Sequence, residues 1–175
     1  MDTMKRVGEI MVPVEQYPSV RDNATLREAL AKIEESQLEV ALRKSLPRVL
    51  LVFDEIDVLV GYVRRRDIMR GLVPRYLVSE PLEYGEKPFE VAIDPNLSEL
   101  SYDRVVRGIL EQAGRPVSDV MHPIEAIIDA DDHLMKAVQE LVSLDLSLIP
   151  VLQEGRVVGV VRSVDVFHEL AQLMS

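Results

Sequence analysis

The chain has no cysteine, no tryptophan and only 5% aromatic residues in 175 positions. The absence of cysteine excludes a disulfide framework and thiolate metal or redox chemistry. Long apolar runs are lacking too, since a stretch such as residues 49–53 is far shorter than the ~20 residues that cross a bilayer. The first eleven residues include four charged side chains and no signal-peptide core. We therefore expect a cytoplasmic globular protein with no membrane association.

Positive charge is scarce: 20 basic side chains stand against 30 acidic ones, for a net charge of −10. Because a protein that holds nucleic acid by its phosphates needs a basic face, this excess argues against nucleic-acid binding. One basic cluster is the exception, and it consists of Arg64, Arg65, Arg66, Arg70 and Arg75. These side chains could bind the phosphates of a small anion, or they could form a solvated helix face.

An internal repeat dominates the sequence. VGEIMVP at residues 7–13 returns as VSDVMHP at 117–123, and LREALAKI at 26–33 corresponds to LMKAVQEL at 134–141. VLVGYVRRRDIM at 58–69 aligns without a gap on RVVGVVRSVDVF at 156–167. Three blocks in the same order indicate two copies of one unit.

Each copy has a pattern typical of a β-α-β-β-α unit, which makes the fold class α+β. In the second copy, strands are predicted at 125–129, 147–152 and 156–161, and helices at 133–143 and 164–173. Asp131 or Asp132 is expected to cap the first helix and Ser163 the second. Gly155 is expected at a positive φ in the hairpin connection between the last two strands.

The first copy carries about ten additional residues near 34–47. Apolar residues at near-helical spacing predict that this insertion extends the first helix as far as Pro47. Strands are expected at 49–53 and 58–63 and a closing helix at 68–72. We place the first unit at residues 5–72, a linker at 73–115 and the second unit at 116–173.

The linker is too long for a bare loop in a compact protein. Its prolines predict irregular structure at 79–95. Its second half has a broad apolar face, which predicts a helix over 98–113 that Ser98 caps and that ends before Gly114.

The paired repeat resembles a tandem of cystathionine-β-synthase (CBS) domains, the Bateman module, in its stand-alone bacterial form. The most specific element is the strand-to-helix motif G-h-x-[ST]-x-x-[DN], present as GYVRRRD at 61–67 and GVVRSVD at 159–165. The resemblance implies two units packed with pseudo-two-fold symmetry, and two clefts that can each hold an adenosine nucleotide. It also implies a homodimer and an effector protein that the sequence does not identify.

By the family pattern, each cleft joins the motif of one repeat to a strand of the other. The motif aspartate would bind the ribose hydroxyls, and apolar strand residues would enclose the adenine. The residues implied for the first cleft are Asp67, Arg64, Tyr62, Leu146, Ser147 and Leu148, and those for the second are Asp165, Arg162, Val160, Val49 and Leu50.

The chain departs from the family pattern at one position of each motif. Arg64 and Arg162 replace the Ser or Thr that contacts the α-phosphate. Either the guanidinium holds the phosphate, or it fills the cleft and pairs with the motif aspartate, which would leave a vestigial site. We favour the phosphate role for Arg64, because more arginines surround the first motif.

No arrangement of residues points to catalysis. The three histidines have no metal-ligand spacing, and neither a nucleophile elbow nor a P-loop occurs. We expect a non-enzymatic regulatory module that needs no cofactor and binds AMP, ADP, ATP or S-adenosylmethionine. The alternative is a scaffold protein with empty clefts that only dimerises.

Overall fold

The computed structural model describes residues 4–40, 42–77 and 101–175. Six α-helices lie in these ranges: α1 (Val7–Ile10), α2 (Leu26–Glu35), α3 (Arg65–Leu72), α4 (Tyr102–Gln112), α5 (Leu134–Ser143) and α6 (Ser163–Leu173). Nine strands accompany them: β1 (Val12–Pro13), β2 (Ser19–Arg21), β3 (Leu38–Val40), β4 (Arg43–Ser45), β5 (Val49–Phe53), β6 (Leu59–Arg64), β7 (Ile128–Asp129), β8 (Leu148–Gln153) and β9 (Arg156–Arg162).

The strands form one sheet for each repeat. In the first repeat β5 pairs parallel with β2 and antiparallel with β6. In the second, β8 pairs parallel with β7 and antiparallel with β9. Each repeat therefore has the predicted β-α-β-β-α order, and the α+β fold is confirmed.

The first block of each repeat, residues 7–13 or 117–123, packs on the other repeat. Val12 in β1 pairs with Val160 in β9, so β1 extends the sheet of the second repeat. In the symmetrical position, His122 and Tyr62 exchange backbone hydrogen bonds of 2.8 and 2.9 Å. The blocks at residues 7–13 and 117–123 thus connect the two repeats through backbone hydrogen bonds.

The motif glycines permit this exchange. A Cβ on Gly61 would lie 2.4 Å from the carbonyl oxygen of His122, and one on Gly159 would lie 2.6 Å from that of Val12. A real Cβ does not come this close to a carbonyl oxygen. The backbone at Val12 or His122, which we call the crossing segment, can therefore approach the other repeat only at a glycine.

Side chains alternate between the two faces of each strand, and the buried residues form three separate cores. Leu50 and Val52 face the core of the first repeat, while Val49 and Leu51 face the space between the repeats. We call that central cluster the interface core, and its buried members are Val12, Tyr17, Leu38, Val49, Leu51, Leu148 and Val160. The split follows from the two-residue period of a strand, which sends neighbouring side chains to opposite faces.

The prediction that the insertion lengthens the first helix is wrong. Helix α2 ends at Glu35, and β3 and β4 pair antiparallel with Val40 opposite Arg43. Leu42 between them has a φ of +64°, which is incompatible with a right-handed helix. Leu38 is buried in the interface core, so tertiary burial decides in favour of a strand here.

The N-cap residues of the helices differ from the predicted ones by one to three positions. Arg162 occupies the N-cap of α6 in place of Ser163, and His133 occupies the N-cap of α5 in place of Asp131 or Asp132. The linker helix α4 is capped by Ser101, whose hydroxyl accepts from the Arg104 N–H. Gly155 has the expected positive φ, at +76°.

Two predictions for the linker, the irregular stretch at 79–95 and the Ser98 cap, lie outside the described residues. In the ranges that the structure covers, the helices are all too short or too polar to cross a bilayer.

Candidate functional site

Each motif runs from the end of a strand into the start of a helix. Arg64 ends β6 and caps α3, and Arg162 ends β9 and caps α6. The aspartate three residues later lies in the first turn of the helix, so arginine and aspartate face each other across that turn. Asp67 and Asp165 are both buried, at 1% and 8% exposure.

Nitrogen atoms surround the carboxylate of Asp67. Oδ2 accepts from the backbone N–H of Arg64 at 3.0 Å and from its Nε at 2.8 Å. Oδ1 accepts from Nη2 of Arg64 at 3.0 Å and lies 3.0 Å from Nε2 of His122. The lone pairs of both oxygens are thereby engaged, which leaves no free acceptor for a ribose hydroxyl.

The charges in this cluster stabilise the ionised carboxylate. Burial by itself would raise the pKa of Asp67, but the hydrogen bonds from Arg64 and His122 outweigh burial and lower the pKa to about 2. The ring of His122 also stacks on Tyr62 at a centroid distance of 5.4 Å. The cluster is a closed structural unit that joins the two repeats.

The cleft beside this cluster is almost filled. We call it the Arg64 cleft, and its volume is only about 20 Å³. Its lining residues are Val49, Tyr62, Arg64, Asp145, Leu146, Ser147 and Leu148. The structure thus brings Arg64 and Tyr62 to the strand residues that the family pattern implies, but leaves no room there for a nucleotide.

The second motif forms a simpler pair. Arg162 donates to Asp165 from Nε at 2.6 Å and from Nη2 at 2.8 Å, and its Nη1 donates to Ser45 at 2.9 Å. Within the described residues, Asp165 receives one hydrogen bond on each oxygen. Each terminal nitrogen of Arg162 keeps a second N–H that a ligand oxygen can accept.

A cavity of about 420 Å³ opens beside this pair. We call it the Arg162 cavity, and it is lined by Tyr17, Ser45, Leu46, Pro47, Arg48, Val49, Arg65, Ser147, Leu148, Arg162, Ser163 and Val164. Three of these residues are arginines, four carry hydroxyl groups and none is acidic. The volume lies in the range of small-molecule sites, and the charge suits an anion.

Only some of the residues expected in the second cleft line the Arg162 cavity. Val49 and Arg162 line the Arg162 cavity, whereas Asp165 lies behind Arg162. Val160 is buried in the interface core, and Leu50 is buried in the core of the first repeat. Leu50 is turned away because it neighbours Val49 on the same strand.

Sequence reasoning missed several residues that shape the two sites, and it did not foresee the position of Arg65. Ser45 and Arg48 border the insertion, Arg65 follows the motif arginine of the other repeat, and His122 belongs to the crossing segment. The repeat alignment did place His122 opposite Val12, but nothing local showed that these blocks cross between repeats. Arg65 was counted with the first motif, although its side chain lines the cavity of the second.

Tyr17 forms the apolar floor of the Arg162 cavity. Its hydroxyl donates to the carbonyl of Val49 at 2.7 Å. Burial raises the pKa of Tyr17, and the nearby guanidinium of Arg162 opposes the rise only in part. Tyr17 therefore stays neutral and adds no negative charge to the cavity.

The fold and the two motifs define a tandem-repeat protein that has one cleft beside each motif. The family model for the CBS domain matches residues 7–74 and 117–172, and the chain belongs to that family. The described ranges contain no cluster of three or more metal-ligating side chains.

Several solved structures share this architecture along almost the whole chain. The CBS-pair protein CBSX2 from Arabidopsis thaliana has a TM-score of 0.63 at 19% identity, with 98% of each chain covered. CBSX2 in complex with AMP gives 0.61 at 18% identity, over 97% of this chain and 98% of that one. The CBS domain of a bacterial CNNM/CorC family Mg²⁺ transporter in complex with ATP gives 0.62 at 20% identity, over 95% and 87%. Comparison with curated protein sequences gave no match.

Proposed function

We propose that the protein is a regulatory module that binds an adenine nucleotide in the Arg162 cavity. The observation that carries the proposal is the contrast between the clefts, about 420 Å³ at the second motif against about 20 Å³ at the first. The AMP and ATP complexes of structurally similar CBS proteins support this class of ligand. The proposal thus places the ligand at the second motif, whereas the number of arginines in the sequence favours the first.

Each part of the nucleotide has a matching surface. The free N–H groups of Arg162 and the hydroxyl of Ser163 suit a phosphate. Tyr17, Val49 and Leu148 provide apolar surface for a base. Asp165 holds the guanidinium in place through two hydrogen bonds, and so acts as a positioning residue for the anion contact.

The charge of the cavity also ranks the candidate ligands. Three arginines without an acidic neighbour on the cavity wall oppose the sulfonium cation of S-adenosylmethionine. AMP, ADP and ATP are therefore expected to bind more tightly than S-adenosylmethionine, and titration calorimetry with the four ligands tests that order.

The matched pair Arg162→Ala and Arg64→Ala tests the location of the site. Each arginine donates from Nε and Nη2 to its own motif aspartate, so both substitutions remove the same two hydrogen bonds. We expect Arg162→Ala to weaken AMP binding roughly tenfold to a hundredfold, the range for one hydrogen bond to a charged group. Arg64→Ala should leave AMP affinity within about twofold.

Opposite results would assign other roles. Tighter AMP binding by Arg162→Ala would mean that this side chain blocks the cavity. Loss of binding in Arg64→Ala alone would move the site to the first motif. If the wild-type protein binds none of the four ligands, the scaffold function with vestigial clefts is supported instead. Thermal melts of both variants verify that they are folded.

A nucleotide that contacts both repeats would bias the angle between them. The Arg162 cavity takes Val49 and Arg65 from the first repeat and Arg162 and Ser163 from the second. Binding would favour the arrangement in which these walls are at contact distance, and a partner protein or a second copy of the chain would detect that arrangement.

A further inference from the structure

Arg65 is placed differently from every other arginine of the basic cluster. It is the first residue of α3 in the first repeat, yet its side chain lines the cavity beside the motif of the second repeat. The repeat alignment pairs Arg65 with Ser163, which lines the same cavity. The cavity therefore extends from the Arg162 pair across the pseudo-two-fold axis to the first turn of α3.

The guanidinium of Arg65 is incompletely bonded. Nη2 donates to the carbonyl of Pro47 at 3.1 Å, and the backbone N–H donates to the carbonyl of Arg48, also at 3.1 Å. Nε is buried and has no hydrogen-bond partner among the described residues. A charged donor without an acceptor is unfavourable. Because Nε is shielded from solvent, a bound anion would remove that penalty by drawing the guanidinium of Arg65 toward the cavity.

The surroundings of Arg65 carry no compensating negative charge. Arg48 lies next to it on the cavity wall, and the wall contains no carboxylate. Arg162, on the other repeat, has its charge balanced by Asp165, whereas Arg48 and Arg65 form no ion pair within the described residues. The positive potential of the cavity is therefore concentrated at the end away from Arg162.

We propose that Arg65, assisted by Arg48, binds the phosphates beyond the first, so that the cavity selects nucleoside di- and triphosphates over monophosphates. The inference rests on the proposed function in placing the first phosphate at Arg162. The anion site at Arg65 itself follows from the charge and the orphaned Nε, and inorganic polyphosphate probes it without a nucleoside.

The test is a calorimetric titration of the wild-type chain with AMP, ATP and inorganic triphosphate, in low salt and without divalent metal. We expect ATP to bind at least roughly tenfold more tightly than AMP, since each charge-assisted hydrogen bond contributes about that factor. Triphosphate should bind detectably, and the affinity for ATP should fall more steeply with salt than the affinity for AMP.

Arg65→Ala should weaken ATP binding at least about tenfold more than AMP binding, and so remove the difference between the two ligands. Arg65→Lys keeps the charge but loses the Nε donor, and should retain part of the preference. Arg66→Ala is the matched control, because Arg66 is the next residue of the same helix, is exposed and does not line the cavity. It should leave both affinities unchanged.

The outcomes separate this inference from the proposed function. Equal binding of ATP and AMP by the wild-type chain, or equal weakening of both by Arg65→Ala, overturns the polyphosphate subsite and leaves the nucleotide site intact. Binding of triphosphate but of no nucleotide, lost in Arg65→Ala, supports the anion site and overturns the nucleotide function. Absence of all binding overturns both, and the wild-type comparison decides even if a variant fails to fold.

Discussion

At the scale of residues, the two motif aspartates show how one pattern produces two different environments. Asp67 is enclosed by three nitrogens of Arg64 and by His122, whereas the partner of Asp165 among the described residues is the guanidinium of Arg162. The difference comes from the crossing segments, because His122 stands where the other segment has Val12. A histidine nitrogen completes the first cluster, and a valine cannot supply one.

The lowered pKa of Asp67 predicts a specific dependence of stability on pH. The folded-state pKa is about 2, against 3.8 in the absence of the fold. The carboxylate therefore stabilises the protein above about pH 4, and the contribution, about 2 kcal/mol, is lost as the pH falls from about 4 to 2. Denaturant unfolding of the wild type and Asp67→Asn should show a difference in unfolding free energy that shrinks over this interval.

Asp103→Asn is the control for this experiment, since Asp103 is exposed in the first turn of α4. Its difference from the wild type should change less over this interval than that of Asp67→Asn, because an exposed carboxylate contributes less to stability than a buried, hydrogen-bonded one. A difference between wild type and Asp67→Asn that is independent of pH would contradict the stabilisation of the Asp67 carboxylate by Arg64 and His122.

At the scale of elements, the inserted hairpin β3–β4 is the largest departure from the symmetry of the repeats. It is anchored by Leu38 and Val40 against the interface core, and Ser45 at its end bonds Arg162. Residues 45–48 then form one wall of the Arg162 cavity. The second repeat has no equivalent insertion, so the two clefts differ in their walls as well as in their motif residues.

The backbone of the hairpin predicts the effect of a glycine substitution. Leu42 has a φ of +64° and is 93% exposed, so its side chain contributes little packing to offset a strained backbone. Leu42→Gly should raise the unfolding free energy by up to about 1 kcal/mol, because the left-handed conformation costs a non-glycine residue roughly 1–2 kcal/mol. Chemical denaturation measures the change.

Leu30→Gly provides the matched comparison, since Leu30 is a partly exposed leucine inside helix α2. It should lower the unfolding free energy by at least about 1 kcal/mol, the helix penalty of glycine, because the burial of the leucine side chain is lost as well. If Leu42→Gly destabilises the protein as much as Leu30→Gly does, residue 42 lies in a helix and the hairpin assignment fails.

At the scale of the whole molecule, the closing helices leave apolar side chains in contact with solvent. On α3 and α6, Met69 is 60% exposed, Phe167 74% and Leu173 64%. These helices follow the two motifs and occupy equivalent positions in the repeats. A two-fold dimer that packs the closing helices of one chain against those of another would cover this surface.

Sedimentation velocity at micromolar concentration should therefore show a dimer. Phe167→Glu should shift the population to monomer, because it places a charge in the centre of the proposed contact. Ile56→Glu is the control, since Ile56 is 79% exposed at the turn between β5 and β6, away from the closing helices. A wild-type protein that sediments as a stable monomer would exclude this dimer.

The sequence by itself determined the repeat, the order of the elements that the two units share and the family. These follow from local periodicity and from motif residues whose roles are set within one strand-to-helix turn. The pairing of Arg64 with Asp67 and of Arg162 with Asp165 was one of two alternatives that the spacing left open, because residues three apart meet on a helical turn.

Only the tertiary structure decided which cleft is open. The closed cluster at Asp67 needs His122 from a distant segment, and the Arg162 cavity takes Arg65 from the other repeat and one wall from a hairpin where helical spacing predicted a helix. Each of these contacts joins residues that are distant in the chain, and burial against the interface core outweighed the local preference of the insertion. Local patterns carry no information about such contacts, because the free energy that selects them arises only when the two repeats pack together.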